Sequence, residues 1–109
     1  MGNIDTFNII NEIRAERERQ KDVEGWTEAH DDTHVKNELS DAAACYAING
    51  PVPGNIFAAM LWPADWDIDW FKPTTHRRNL VKAAALIVAE IERLDRMGDE
   101  NGMGRGTDA

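Results

Sequence analysis

The residues best suited to chemistry crowd into one stretch, GWTEAHDDTHVKNELSD, residues 25–41. Within it His30, His34, Glu38 and Asp41 follow i, i+4, i+8 and i+11 spacing. On a continuous helix at ~100° per residue, these four side chains fall within about 80° of one another. Carboxylates one turn apart can share a hard divalent ion such as Mg2+ or Mn2+, which takes oxygen ligands. Imidazoles at this spacing suit transition ions, and either one can act as a general base. A solvated helix face carries the same pattern. Glu28, Asp31 and Asp32 have the simpler explanation of acids that favour a helix N-terminus.

Three other groups bear on the same chemistry. Glu12 and Glu16 stand one turn apart at the margin of an apolar stripe, so they are expected near a helix interface. If the first two helices pair antiparallel, Glu16 and Gln20 face His30 and His34, while Glu12 lies towards Glu38 and Asp41, and the two helices build one polar pocket. The surrounding RAERERQK equally allows carboxylate–arginine pairing. In KPTTHRRN, the cations Lys72, His76, Arg77 and Arg78 gather at a helix start, where free backbone N–H groups already attract anions. Positive side chains oppose the dipole there. Either an anionic ligand or a salt bridge to the acidic second helix must hold them. In WPADWDIDW, Trp62, Trp66 and Trp70 recur every four residues. They can cap the open end of a helical bundle. Alternatively, Trp66 and Trp70 form a stacking platform for a planar ring such as a nucleobase. Carboxylates, stacking rings and a cationic helix start are the parts that a phosphorylated-nucleotide site requires.

Helices must position these groups, and the chain predicts three of them, over about 4–21, 28–49 and 75–97, with no strand pattern. The fold class is all-α. The first helix carries Phe7, Ile9, Ile10 and Ile13 as a core-facing stripe. Arg17 and Gln20 continue that stripe with polar groups. The second is capped by Thr27, ends at Asn49-Gly50-Pro51 and buries Val35, Leu39, Ala42, Ala43 and Tyr46. Its alanines imply a close helix–helix approach. The third is capped by Thr74 or Thr75 and buries Leu80, Ala84, Ile87, Ile91 and Leu94. An irregular tryptophan-rich loop joins the last two helices. Residues 1–97 form one domain, and the glycine-rich polar segment 98–109 reads as a disordered tail.

Composition limits the function. A chain of 109 residues holds a single modest core. With 20 acidic against 12 basic residues and a net charge of −8, it is a poor general binder of nucleic-acid polymers. The single cysteine, Cys45, excludes an intramolecular disulfide and a thiolate zinc site, and reads as a small buried thiol. MGNIDTFNII lacks the features of a signal peptide, and no segment approaches the apolar length of a membrane span. A cytoplasmic protein is expected. A three-helix bundle this thin, rich in small residues, is expected to pack as a homo-oligomer.

The run RQKDVEGWTEAHDDTHVKNELSDAAACYA, followed by WPADWDIDWFKP and RRNLVKAAALIVAEIERLDR, resembles a family of small uncharacterised helical proteins common in phages and prophages. The resemblance covers most of residues 19–96 and implies origin in a bacterium or phage-infected cell. A second resemblance is to the MazG-like all-α nucleoside triphosphate pyrophosphohydrolases. Those enzymes bind magnesium through a Glu-Glu-x-x-Glu motif on one helix and Glu-x-x-Asp on the next. ELSD is similar to the second motif at Glu38 and Asp41, and AAACYAI to the small apolar run after it. NEIRAERE offers Glu12, Glu16 and Glu18 but no adjacent acidic pair. The resemblance implies a nucleotide-like phosphorylated ligand and metal-dependent phosphoanhydride hydrolysis. Glu12, Glu16, Glu38 and Asp41 would hold Mg2+ or Mn2+, His30 or His34 would be the base, and Arg77 and Arg78 would neutralise phosphate. One alternative is a non-catalytic phage protein that sequesters a host signalling nucleotide and needs no full metal set. Another is a helical protein–protein interaction module whose polar stripes are solvated surface.

Overall fold

The structure is a computed structural model that describes residues 2–27, 29, 37–49 and 60–100, without the side chains of residues 2–4, 49, 99 and 100. Three long helices account for most of these residues: α1 (Gly2–Asp22), α2 (Glu38–Asn49) and α3 (His76–Glu100). A 3-10 turn covers Ile68–Trp70, and no strand occurs among the described residues. The fold is all-α, as the periodicity predicts. Among the described residues, no helix is long and apolar enough to cross a membrane.

The helix ends follow local chemistry. Gly25 takes the left-handed backbone conformation (φ 79°) after α1. The turn lets the Trp26 N–H donate to the Gln20 carbonyl at 3.0 Å, satisfying a group that the helix end leaves open. Trp26 is thereby folded back onto the core. At α3, the Thr75 hydroxyl accepts the Arg78 N–H at 3.1 Å, which identifies Thr75 as the cap. The Asn79 side chain ties down the approach by accepting the Thr74 N–H at 2.7 Å. Residues 98–100, expected in the tail, continue α3. The remainder of that segment, 101–109, lies outside the described residues.

The second helix differs from expectation. It begins at Glu38, because Asn37 sits at a left-handed φ of 71°. The Asn37 carbonyl accepts the first helical hydrogen bond, from the Asp41 N–H at 2.9 Å. Asparagine tolerates this conformation because its short amide finds local partners, and here its Nδ2 reaches Asp41 Oδ1 at 3.4 Å. No uninterrupted helical register therefore runs from residue 28 to 49. The helix that carries Glu38 and Asp41 begins at Glu38, so the continuous helical stripe expected of His30, His34, Glu38 and Asp41 is interrupted at Asn37. His30 and His34 themselves lie outside the described residues.

Packing also departs from the simple pattern. The core lies between α2 and α3, where Leu39, Ala42, Cys45 and Tyr46 meet Ala83, Leu86 and Ala89. The alanines permit the close approach expected of them. Trp26, Trp62 and Trp66 close the end of this layer. Both α1 and α2 pack on α3, and among the described residues no contact of comparable extent joins α1 to α2. The polar back half of α1 is its buried half: Glu16 is 1% exposed, and Arg17 and Gln20 are also buried. Its apolar front half is open, with Phe7 64% exposed and Ile9 and Ile10 also exposed. The same inversion holds on α3, where Leu80, Ile87, Ile91 and Leu94 are exposed while Asn79, Lys82 and Arg93 are buried.

Candidate functional site

The start of α3 and the middle of α1 form an acid–arginine junction. Arg77 donates from both terminal nitrogens to the two oxygens of Glu12, each at 2.9 Å. One turn further along α1, Arg19 grips Glu16 in the same two-pronged way, at 2.8 Å and 2.8 Å. Arg78 reaches the same carboxylate from α3. Gln20 Nε2 adds a further bond to Glu16 at 3.2 Å. Arg77 and Arg78 are thus held by acids of the first helix, and Lys72 by Glu24 in the turn after it.

Electrostatics separates the two pairs. Burial is the strongest single influence on Glu16 and pushes its carboxyl up. Hydrogen bonds from Arg19 and Gln20, with the charges of Arg19 and Arg78, together outweigh it and leave the group below its ordinary value of 4.5. Glu12 is also lowered, chiefly by its hydrogen bonds from Arg77, but it sits at the surface. The Arg77 side chain is 64% exposed. An exposed ion pair is held weakly because water competes for both partners. Arg77 can exchange its carboxylate for another anion far more readily than Arg78 can.

A second layer extends the junction towards the tryptophans. Glu24 accepts from Arg19 at 3.1 Å and from Lys72 at 3.0 Å. Burial pushes the Glu24 carboxyl up, but these two cations bring it below the ordinary value. Lys82 is buried, donates to the Lys72 carbonyl at 2.6 Å and lies over the Tyr46 ring. Its desolvation lowers its pKa. The Tyr46 hydroxyl accepts the Lys72 N–H at 2.9 Å and donates to the Trp70 carbonyl at 3.3 Å. Glu24 and Lys82 were not singled out by sequence motifs, whereas Tyr46 was expected in the core and Arg19 lies in RAERERQK, where pairing with Glu16 was one of the open readings. The i, i+4 spacing of Arg78 and Lys82 puts those two on a common face of α3.

Trp66 is enclosed by three other tryptophans, with ring centroids 5.5 Å from Trp62, 5.7 Å from Trp26 and 5.7 Å from Trp70. Tyr46 and Phe71 extend this cluster at 4.9 Å. Trp66 is buried and serves as a core ring, whereas Trp70 lies at the rim, 36% exposed. Cys45 is fully buried, which pushes its thiol to about 12 and suits a packing role.

The other expected ligands stand apart from this junction. Glu38 and Asp41 occupy the first turn of α2, both half-buried. Among the described residues, no group of three or more His, Cys, Asp or Glu side chains is arranged to hold a metal ion. Glu12 and Glu16 face guanidinium groups. Glu38 and Asp41, two carboxylates three residues apart, have a spacing a divalent ion can use. No protein-family model, no curated protein and no solved structure matches the chain.

Proposed function

We propose that the protein binds a nucleotide-like phosphorylated ligand, with Arg77 as the cation that meets the phosphate. The observation that carries this reading is the contrast between two adjacent arginines. Arg78 is committed to a buried carboxylate. Arg77 is solvent-facing, stands at the first turn of α3 and holds a surface acid that a phosphate can displace. A phosphate there gains both a bidentate guanidinium partner and the free N–H groups of the helix start. Trp70, at the rim of the aromatic cluster, is the ring available to stack on a base. Hydrolysis of a phosphoanhydride is the enzymatic form of this reading. A divalent ion on Glu38 and Asp41 would activate water or neutralise the leaving phosphate.

A non-catalytic binder that sequesters a signalling nucleotide is favoured by a separate observation. The described residues assemble no complete metal set, and a sequestering protein needs none. A panel of nucleotides with Mg2+ or Mn2+, read by thermal shift and by turnover, separates the two. The expected result is a nucleotide-dependent rise in Tm that Arg77→Ala removes while leaving the unliganded Tm unchanged. Turnover lost in Glu38→Ala supports the enzyme, and a shift without turnover supports the binder. No shift with any nucleotide overturns both, leaving the helical interaction module.

A further inference from the structure

The residues that sequence periodicity assigns to the core form two open apolar surfaces. Every side chain from Asp5 to Ile10 is exposed, so among the described residues the front of α1 is an arm that is only partly covered, where Ile9 and Ile10 border α3. Phe7, Ile9 and Ile10 are its large apolar groups. On α3, Leu80, Ala84, Ile87, Ile91 and Leu94 follow the 4-3-4-3 spacing of a helix–helix seam, and the four large ones are each about half exposed. Ile13 links the two surfaces. It lines a groove of about 300 Å³ with Ile9, Leu80, Val81 and Arg77, and a second of about 290 Å³ in which Ile10 and Val88 are joined by the charged Arg14, Arg17, Glu18 and Glu92.

We infer that a second copy of this chain covers these surfaces, the α1 arm of each protomer lying on the α3 seam of the other. Area is the first argument. Taking a fully exposed large side chain at about 200 Å², the open apolar residues of arm and seam leave roughly 700 Å² uncovered, close to the ~800 Å² per partner of a standard interface. Monomers rarely expose more than a few hundred Å² in one patch. Self-complementarity is the second argument. One chain carries both a largely open arm and a half-exposed seam, and a two-fold exchange covers both at once. Charge is the third. The chain carries −8, yet the rim of the face is neutralised internally by Glu12–Arg77 and Arg17–Glu92. Docking a like-charged copy therefore buries no unpaired charge at those edges. Arg77 lines the first groove, so the second copy also forms one wall beside the proposed phosphate contact.

The test uses the full chain in sedimentation equilibrium, with circular dichroism confirming that each variant stays helical. The wild type is expected to be dimeric or a multiple of the dimer, and to associate more tightly as salt screens its negative charge. An arm variant, Phe7→Ser with Ile10→Ser, and a seam variant, Ile87→Glu with Ile91→Glu, should each raise the dissociation constant by roughly a hundredfold or more. Mixing the two variants should restore dimers, because a mixed pair keeps one intact arm–seam contact. A monomeric wild type, or a dimer untouched by either variant, overturns the inference. Loss of the dimer in both variants without restoration on mixing overturns the arm-to-seam arrangement, since arm–arm and seam–seam contacts cannot be rescued that way. None of these readouts depends on nucleotide binding.

Discussion

Glu16 carries most of the energetic weight at the scale of single residues. Its carboxylate is buried among two guanidiniums and an amide, an arrangement that works only while the charge is present. Removing one partner from a buried ion pair costs roughly 3–5 kcal/mol, and the partial exposure of Arg19 and Arg78 reduces that here. Glu16→Gln is therefore expected to lower unfolding free energy by about 2–4 kcal/mol in urea titrations. Glu12→Gln, which removes a surface pair, should leave stability nearly unchanged. The pH dependence follows from the same groups. Glu16, Glu24 and Glu12 all titrate lower in the folded chain than their ordinary 4.5. A lowered acid stabilises the fold above its unfolded pKa, and that contribution is lost as pH falls through the folded value. Stability should hold from pH 7 to about 5 and decline below about 4.5. The decline should be shallower in Glu16→Gln, and an identical slope in both proteins would argue against Glu16 as a main contributor. The sequence made half of this legible. Glu12 and Glu16 could be read as acids at a helix margin, and arginine pairing was one of two open outcomes. Arg19, three residues on within RAERERQK, was readable as a partner of Glu16, but Arg77 and Arg78 were not, because they lie more than sixty positions away.

Asn37 sets the geometry at the scale of elements. Periodicity predicts one helix through residues 28–49, because amphipathic spacing continues through the break. A single residue at a left-handed φ leaves no trace in that pattern. Asparagine is an ordinary helix residue by propensity, and only its backbone angle reveals it as a cap. A β-branched residue cannot take this conformation cheaply. Asn37→Val should cost about 1–2 kcal/mol from the backbone alone, whereas Asn37→Gly should be close to neutral. Urea midpoints of the two variants test this, and a fully tolerated valine would mean that the helix can run through residue 37. The third helix was legible almost to its ends because its cap, its stripe and its length agree. The direction of its stripe was not. Periodicity states which side chains share a face, and Leu80, Ile87, Ile91 and Leu94 do share one. Which face turns inward is decided by the alanines, whose small size draws α2 onto Ala83, Leu86 and Ala89 instead.

At the scale of the whole molecule, the chain is held together in two unlike ways. The α2–α3 layer is apolar and closed by tryptophans. The α1 helix meets α3 through the ion pairs of Glu16 and Arg17, the weaker surface pair of Glu12, and Gln20 reaching the Lys82 carbonyl at 3.4 Å. Acid weakens only the second kind of attachment. Native-state hydrogen exchange, corrected for intrinsic rates, should therefore resolve two cooperative units. As pH falls from about 5 through the lowered folded pKa values, amides of residues 16–20 should lose protection while those of residues 83–89 in α3 keep theirs. Uniform loss across both segments would mean that the molecule is a single cooperative unit and that the ion pairs are not what fixes α1. The arm supplies a second coordinate. If another copy covers Phe7, Ile9 and Ile10, protection of the α1 front half must rise with protein concentration at constant pH. Acid should then open α1 at its polar back half while the apolar arm remains docked on the neighbouring molecule. Detachment would begin in the middle of the helix rather than at its free end.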